Sequence, residues 1–254
     1  MKYDVPSKAW IQNILNGLTH DTFIYRIFGW KRFNELMSKN ELVLVNPDMW
    51  DDPFENFYLK ADAYSGKEKI SLENLRKDSF GQCWTLNEDT DAMWRIYSHD
   101  KCGVRLKTTA GKLFKAVIKQ QGIFADFSSY IGKVEYLTKE QLQKLHQHSF
   151  YLTTLGGQGD GLAKMLLRKR VAFEHEAEVR VLAGVSTDHL AEYPDGLYPV
   201  SIDFETMFDE ICLDPRLETS AFKKLKCQLI TRTSLPIVQS DLYRFDLEPI
   251  NVDI

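Results

Sequence analysis

Residues 173–184 read FEHEAEVRVLAG. Taken as a strand, this stretch sets Glu174, Glu176, Glu178 and Arg180 on one face, because side chains alternate between faces with a period of two. Phe173, Ala177, Val179 and Val181 fall among the other positions. Glu176 and Glu178 would then stand about 7 Å apart, both ionised near pH 7 unless buried. Such a pair suits glycosidic chemistry: one carboxylate stabilises positive charge developing on a sugar anomeric carbon while the other orients an acceptor. The alternative is a solvated strand face on which Arg180 relieves repulsion between neighbours. The segment by itself leaves both open.

Other residues bear on the choice. Arg26 sits inside the apolar run TFIYRIF (22–28), and a guanidinium there needs a partner, since a buried unpaired charge is costly. A diphosphate suits its planar fork; so does a carboxylate such as Asp52 or Glu55. In QCWT, Gln82 and Trp84 share one face of a short strand, and Cys83 and Thr85 share the other. Trp94 and Tyr97 lie one helical turn apart, a spacing that serves either a core or a ring stacked on a ligand. Asp51, Asp52 and Glu55 in DDPFE offer hard oxygen ligands for a divalent cation, or a turn whose acids pair with Arg26 or Arg180. A nuclease-type D…[DE]-x-K arrangement is not met, since Glu178 is followed by Val179 and Arg180, and no metal is predicted. GGQGDG (156–161) lacks the G-K-[ST] ending of a phosphate loop and reads as a gating loop. RKR (168–170) reads as a solvated helix end or a phosphate contact.

The elements that must position these residues are mixed. Strands are expected at 22–28, ELVLV, 79–86, CGVRLK, YIGKVEYL and 173–184, and later at YPVSI, DEICL, QLITR, LPIVQ and LYRFDL. Helices are expected from Ser7 to about Gly17, over WKRFNELMSKN, DTDAMWRIYS, TTAGKLFKAVIKQQ (capped by Thr108 or Thr109) and TKEQLQKLHQHSFYL (capped by Thr138). LAKMLLRKR and ETSAFKKLK complete the helical set. No regular βαβ rhythm runs through them, which favours an α+β fold with a central, mostly antiparallel, twisted sheet flanked by helices.

The chain has 254 residues, 44% of them hydrophobic and 27% charged, with a net charge of −4. That length supports a sizeable core, and with no Pro/Ser-rich linker or fixed repeat a single domain over 1–254 is expected. The charge gives no electrostatic case for non-specific nucleic-acid binding. No apolar run is long enough to span a bilayer, no apolar leader opens the chain, and four cysteines without a C-x-x-C pair argue against a disulfide scaffold. The expected location is cytoplasmic, with no membrane partner.

Arginine on an early strand, a small polar strand triplet and a late E-x-E follow the order of the R–S–E pattern of the ADP-ribosyltransferase fold. By that resemblance Arg26 holds the phosphates of NAD, Thr85 supports the nicotinamide ribose, Glu178 binds the ribose 2′-hydroxyl and Glu176 faces the acceptor. Tyr25 and Trp94 would then contribute to the NAD site. The triplet here is C-W-T rather than S-T-S. A second resemblance rests on YRIFGWKRFNEL…LVNPDMWDDPFE, QCWTLNEDTDAMWRIYSHDKCGVRL and KRVAFEHEAEVRVL. These are similar to a bacterial family catalogued as domain of unknown function 2971, whose members carry Y-R, N-D-P-F-E, M-W-x-x-Y and E-x-E-x-R in that order. Asp51 replaces the usual asparagine and Phe173 the usual tryptophan. That family implies a single α+β domain in which Arg26, Asp52, Glu55, Glu176, Glu178 and Arg180 converge, and it implies no activity.

Taken together, the expectation is an NAD-consuming ADP-ribosyltransferase-like enzyme or NAD glycohydrolase. Its acceptor would be protein, nucleic acid or water, and by analogy with the fold its role that of a toxin or anti-phage effector. The alternatives are a non-catalytic binding module, in which Arg26 and Arg180 form a buried network with the acids, and a metal-dependent nucleic-acid hydrolase centred on Asp51, Asp52 and Glu55. The first needs an open cleft, the second buried and mutually paired charges, the third converging carboxylates.

Overall fold

Strand-forming runs rich in β-branched and aromatic residues alternate along this chain with helices that carry one apolar stripe. In the computed structural model those runs assemble around one large sheet. The structure describes residues 7–50, 63–65, 67–70, 77–148 and 160–244. Asp51, Asp52, Glu55 and the first four residues of GGQGDG therefore lie outside the described residues.

The strands are β1 (Ile14–Leu15), β2 (Phe23–Phe28), β3 (Glu41–Val45), β4 (Ala63–Ser65), β5 (Glu68–Ile70), β6 (Ser79–Thr85) and β7 (Val104–Thr109). They continue with β8 (Ser129–Lys133), β9 (Glu135–Leu137), β10 (Arg168–Arg170), β11 (Glu178–Gly184), β12 (Leu197–Ser201), β13 (Glu210–Leu213) and β14 (Ile237–Gln239). The main sheet runs β1-β8-β11-β6-β2-β7-β13-β14, with β3 also pairing β6 and β12 pairing β3. Only β1 with β8 and β13 with β14 are parallel in this sheet. The expected α+β class, with a mostly antiparallel sheet, is the fold observed.

The topology forks at β6. One edge of β6 pairs with β11 over its whole length, from Glu178 opposite Thr85 to Gly184 opposite Ser79. Its other edge is shared: Gly81 pairs with Val45 of β3, and Thr85 pairs with Tyr25 of β2. Residue 83 has the same parity, so its carbonyl points into the gap between the two branches, and a backbone carbonyl there needs a donor. Arg26 supplies it, its Nη1 donating to the Cys83 carbonyl oxygen. Gln82 stitches the other branch, its Nε2 donating to the Val43 carbonyl at 3.0 Å and its Oε1 accepting from Trp84 Nε1 at 2.9 Å.

The two faces of the sheet are packed differently. Val179, Val181, Trp84, Phe80 and Ile24 belong to the larger core, shared with Phe33 and Leu36 of the Trp30–Lys39 helix and with Leu113, Phe114 and Val117 of the Ala110–Gln121 helix. Both helices terminate as their sequences dictate. Asn40 adopts the left-handed conformation after the first, and Thr109 caps the second by accepting from Lys112 N–H at 3.2 Å. The opposite face carries a smaller cluster of Leu182, Leu166, Leu167, Tyr130 and Leu142, against which Trp50 packs. Thr138 forms a capping box with Gln141, with reciprocal bonds of 2.7 and 3.2 Å. Among the described residues no helix is long and apolar enough to cross a membrane.

Several local expectations are corrected. The first helix is Lys8–Gln12 only, and Ile14–Leu15 join β8 as a strand. YIGKVEYL breaks at Val134 into β8 and β9, because the Val134 N–H donates to the Glu178 carbonyl as a detached contact. QLITR belongs to the Thr219–Leu229 helix and the turn beyond it, while Asp241–Arg244 closes in a turn instead of a strand. RKR is no helix end: it is β10, paired in parallel with β9. The opening segment is a strand only from Glu178. Val171–Glu176 forms a 3₁₀ helix that ends at Ala177 in the left-handed conformation (φ 43°).

Candidate functional site

That left-handed residue decides how the acidic pair is presented. In a continuous strand Glu176 and Glu178 would both project from one pleat, and Glu174 with them. Instead Ala177 turns the backbone between them, and Glu174 is left exposed on the 3₁₀ helix while Glu176 and Glu178 are buried. Both carboxylates then meet Lys169 of β10, whose Nζ lies 2.6 Å from Glu176 Oε2 and 3.5 Å from Glu178 Oε2. Arg180, two residues along β11, places Nη2 2.8 Å from Glu178 Oε2 and donates from Nη1 to the Leu166 carbonyl at 2.7 Å. Its guanidinium lies over the Trp50 ring, 4.3 Å from the centroid. The Glu178 N–H donates to the Tyr136 hydroxyl at 2.8 Å. The spacing that suggested a solvated face thus builds a buried, charge-paired corner.

Burial and pairing push the two carboxyls apart. Burial raises Glu178, but Arg180 and Lys169 outweigh it and hold the group below the usual carboxylate range. For Glu176 burial dominates over Lys169, and its pKa is raised. Two carboxyls with opposite displacements can take two roles, one fixed as an anion and one able to hold a proton. Burial raises the Cys83 thiol, which is therefore a neutral neighbour of Glu178 rather than a thiolate nucleophile.

The remaining residues singled out in the sequence fall around this corner unevenly. Arg26 alternates with Tyr25, so it leaves β2 on the other face and reaches the fork, where its charge and that of Glu178 act on each other. Its Nε is buried without a hydrogen-bond partner, and among the described residues no carboxylate pairs with it. Phe28 supplies a ring 5.3 Å from the guanidinium carbon. Burial lowers the Arg26 pKa.

Thr85 is the register partner of Glu178, so the two lie side by side across the strand pair. The Thr85 hydroxyl, however, donates to the Glu176 carbonyl at 2.6 Å and accepts from the Asn87 N–H at 3.0 Å. It locks the acidic turn onto β6. Tyr25 is buried under Arg105 and Lys107, and its hydroxyl, pushed up to about 12 by burial and then by Glu88, belongs to a different cluster of charges from Glu178. Trp94 is fully buried in the structure. Its helix neighbour Tyr97 keeps 45% of its surface exposed and feels the charges of Glu176 and Glu178.

Lys169 is the member of this charged corner that its sequence does not single out. A signal existed: RKR precedes the acidic segment and matches it in charge. Its helical reading hid the alternation that buries Lys169 between the more exposed Arg168 and Arg170. Among the described residues no group of three or more His, Cys, Asp or Glu is placed to hold a metal ion. Among the described residues cavities are formed elsewhere. One of about 420 Å³ lies at the far end of β11, beside Tyr130, Leu182, Tyr193 and Tyr198, and one of about 350 Å³ lies beside Asn40, Asp203 and Arg232.

Residues 93–181 match the family described as Protein of unknown function (DUF2971). The match takes in Met93, Trp94, Tyr97, Lys169 and the E-x-E-x-R of residues 176–180, while Tyr25-Arg26 and DDPFE lie before it. No curated protein matches the chain. Among solved structures it is similar to Thermus sp. 2.9 DarT in complex with NAD+ (12% identity, 88% of this chain and 97% of that chain, TM-score 0.38). It is also similar to the same protein in complex with ADP-ribosylated ssDNA (12% identity, 88% of this chain and 96% of that chain, TM-score 0.36).

Proposed function

We propose that this protein is an NAD-consuming ADP-ribosyltransferase-like enzyme or NAD glycohydrolase, with Arg26 as the phosphate-binding residue and Glu178 as the catalytic carboxylate. The observation that carries this reading is the pairing state of the two groups at the fork. Arg26 has no carboxylate among the described residues and an unbonded Nε, while Glu178 beside it is held as an anion by Arg180 and Lys169. A cation without its own counter-charge suits a diphosphate. A fixed carboxylate suits a ribosyl centre that becomes oxocarbenium-like as nicotinamide departs. Glu176, raised by burial toward the protonated form, suits exchange of a proton with an acceptor hydroxyl, amide or water. Thr85 serves the site by fixing the Glu176 turn. Tyr25 and Trp94 support β2 and the Asp91–Tyr97 helix from behind.

A second reading is favoured by a specific observation. Glu176, Glu178, Lys169 and Arg180 are each less than a tenth exposed and mutually paired, as a non-catalytic network that specifies the fold requires. The two readings separate in one experiment: nicotinamide release from NAD+ by the purified protein and by Glu178→Gln and Arg26→Ala, alone and with cell lysate and labelled NAD+. Enzymatic function predicts release that Glu178→Gln lowers by on the order of a hundredfold to a thousandfold, and an Arg26→Ala variant with a raised KM. Absence of release and of label transfer, together with a sharply lowered Tm for Glu178→Gln, establishes the network.

A further inference from the structure

The two cations beside Glu178 approach the same oxygen. Arg180 Nη2 and Lys169 Nζ lie 2.8 and 3.5 Å from Glu178 Oε2. Lys169 makes its shorter bond, 2.6 Å, to Glu176 Oε2. Between the two carboxylates its ammonium is shared unequally, closer to Glu176 than to Glu178. The Lys169 stem is fixed as well. Residue 169 is the central residue of β10, in register with Tyr136, and its Nζ sits 4.7 Å from the centroid of the Phe173 ring. A lysine so placed is pinned by strand pairing, by an aromatic face and by two carboxylates that come from opposite sides of a left-handed turn.

We propose that Lys169 is the positioning residue of this site: a buried ammonium that fixes Glu176 and Glu178 relative to one another and to the reacting centre. The proposal rests on the NAD-consuming reading for the identity of that centre, and on the distances alone for the clamp. An ammonium suits the task better than a guanidinium, because a compact point charge can serve two oxygens in different planes whereas a planar fork commits to one carboxylate. Arg180 performs the second role here, on Glu178. Other titratable groups acting on the pair include His175 and Arg26, together with Cys83 on β6, Tyr136 on β9 and Tyr97 on its helix, these last three protonated at neutral pH, since burial raises each. Lys169 and Arg180 are the cations in direct contact with the pair, and Arg26 acts on Glu178 from β2.

The test compares Lys169→Met and Lys169→Arg with the wild-type chain by two readouts. The first is the pH titration of the Glu176 and Glu178 carboxyl carbons, followed by NMR on protein labelled at glutamate. The second is nicotinamide release from NAD+, with kcat and KM determined separately. A positioning role predicts that Glu178 titrates at higher pH in Lys169→Met, and that kcat falls on the order of tenfold to a hundredfold with KM for NAD+ unchanged. Lys169→Arg is the decisive variant: it keeps the charge and the fold but loses the two-plane geometry, so kcat falls while Tm stays near the wild type. A Lys169→Arg protein with wild-type kcat overturns the proposal, because charge alone would then suffice. If the wild type releases no nicotinamide at all, the NAD-consuming reading fails by itself, and the titrations still decide. Unchanged Glu178 titration in the folded Lys169 variants overturns the clamp, and a displaced titration upholds it.

Discussion

Glu178 and Glu176 differ by one intervening residue and are driven in opposite directions, which has a consequence for acid stability. Glu178 is ionised more readily in the folded chain than in the unfolded one, so the stability it contributes is present above the usual carboxylate range and is lost as pH falls through its lowered folded value. Glu176 is raised, so its contribution runs the other way: it is present below the usual range and is lost as pH rises through the folded value. Replacing Glu178 by Gln mimics the protonated acid and strands Arg180 and Lys169. The Tm of Glu178→Gln is therefore expected well below that of the wild type at pH 7, with the gap narrowing as both are melted at successively lower pH below about 4. A gap independent of pH would show that Glu178 is not an anion in the folded chain. At neutral pH, breaking such a buried pair costs roughly 3–5 kcal/mol.

The turn at Ala177 is the smallest element with a function of its own. Its left-handed backbone (φ 43°, ψ 55°) costs a residue bearing Cβ on the order of 1 kcal/mol or more. Ala177→Gly is expected to stabilise the protein by about 1 kcal/mol, less the greater freedom glycine has when unfolded, as read from the denaturant midpoint. Release of nicotinamide should be unaffected, since the glutamates and their partners are retained. Here the limits of reading from sequence are plain. Alternation in EVRVLAG made β11 legible from Glu178 onward, and the apolar stripe of WKRFNELMSKN made its helix legible. Nothing in HEA announces a left-handed alanine, because only glycine and asparagine advertise that conformation. The same holds for Lys169: its burial depends on the parallel pairing of β10 with β9, a contact between segments that no local pattern records. Arg26, Glu176 and Glu178 were recognisable because a charge within an apolar or alternating run stands out, whereas the commitment of the Thr85 hydroxyl to the Glu176 carbonyl required the register of β6 against β11.

Across the whole molecule, the fork at β6 ties the outer branch of the sheet to the charged corner. A Cβ built on Gly81 would lie 2.9 Å from both Leu182 Cδ2 and Trp50 Cζ2, and Trp50 is the ring on which Arg180 rests. Leucine can rotate away; the indole must shift bodily. Gly81→Ala is therefore expected to cost about 1–3 kcal/mol, measured by chemical denaturation, and to lower nicotinamide release although residue 81 touches neither glutamate. Gly132→Ala, crowded by Leu167 and Leu15, should destabilise by a similar amount. Register adds a consequence for the life of the chain before it is complete. The central strand β6 finds its full-length partner only in β11, and the ammonium that joins the carboxylates arrives with β10 just before it. During synthesis the first half of the sheet must therefore wait, its middle edge open, until residues near 184 have left the ribosome. Pairings between segments so distant in sequence form slowly. Thr85 meets the Glu176 carbonyl only with that closure, so a nascent chain cannot complete this corner before β11 has joined β6.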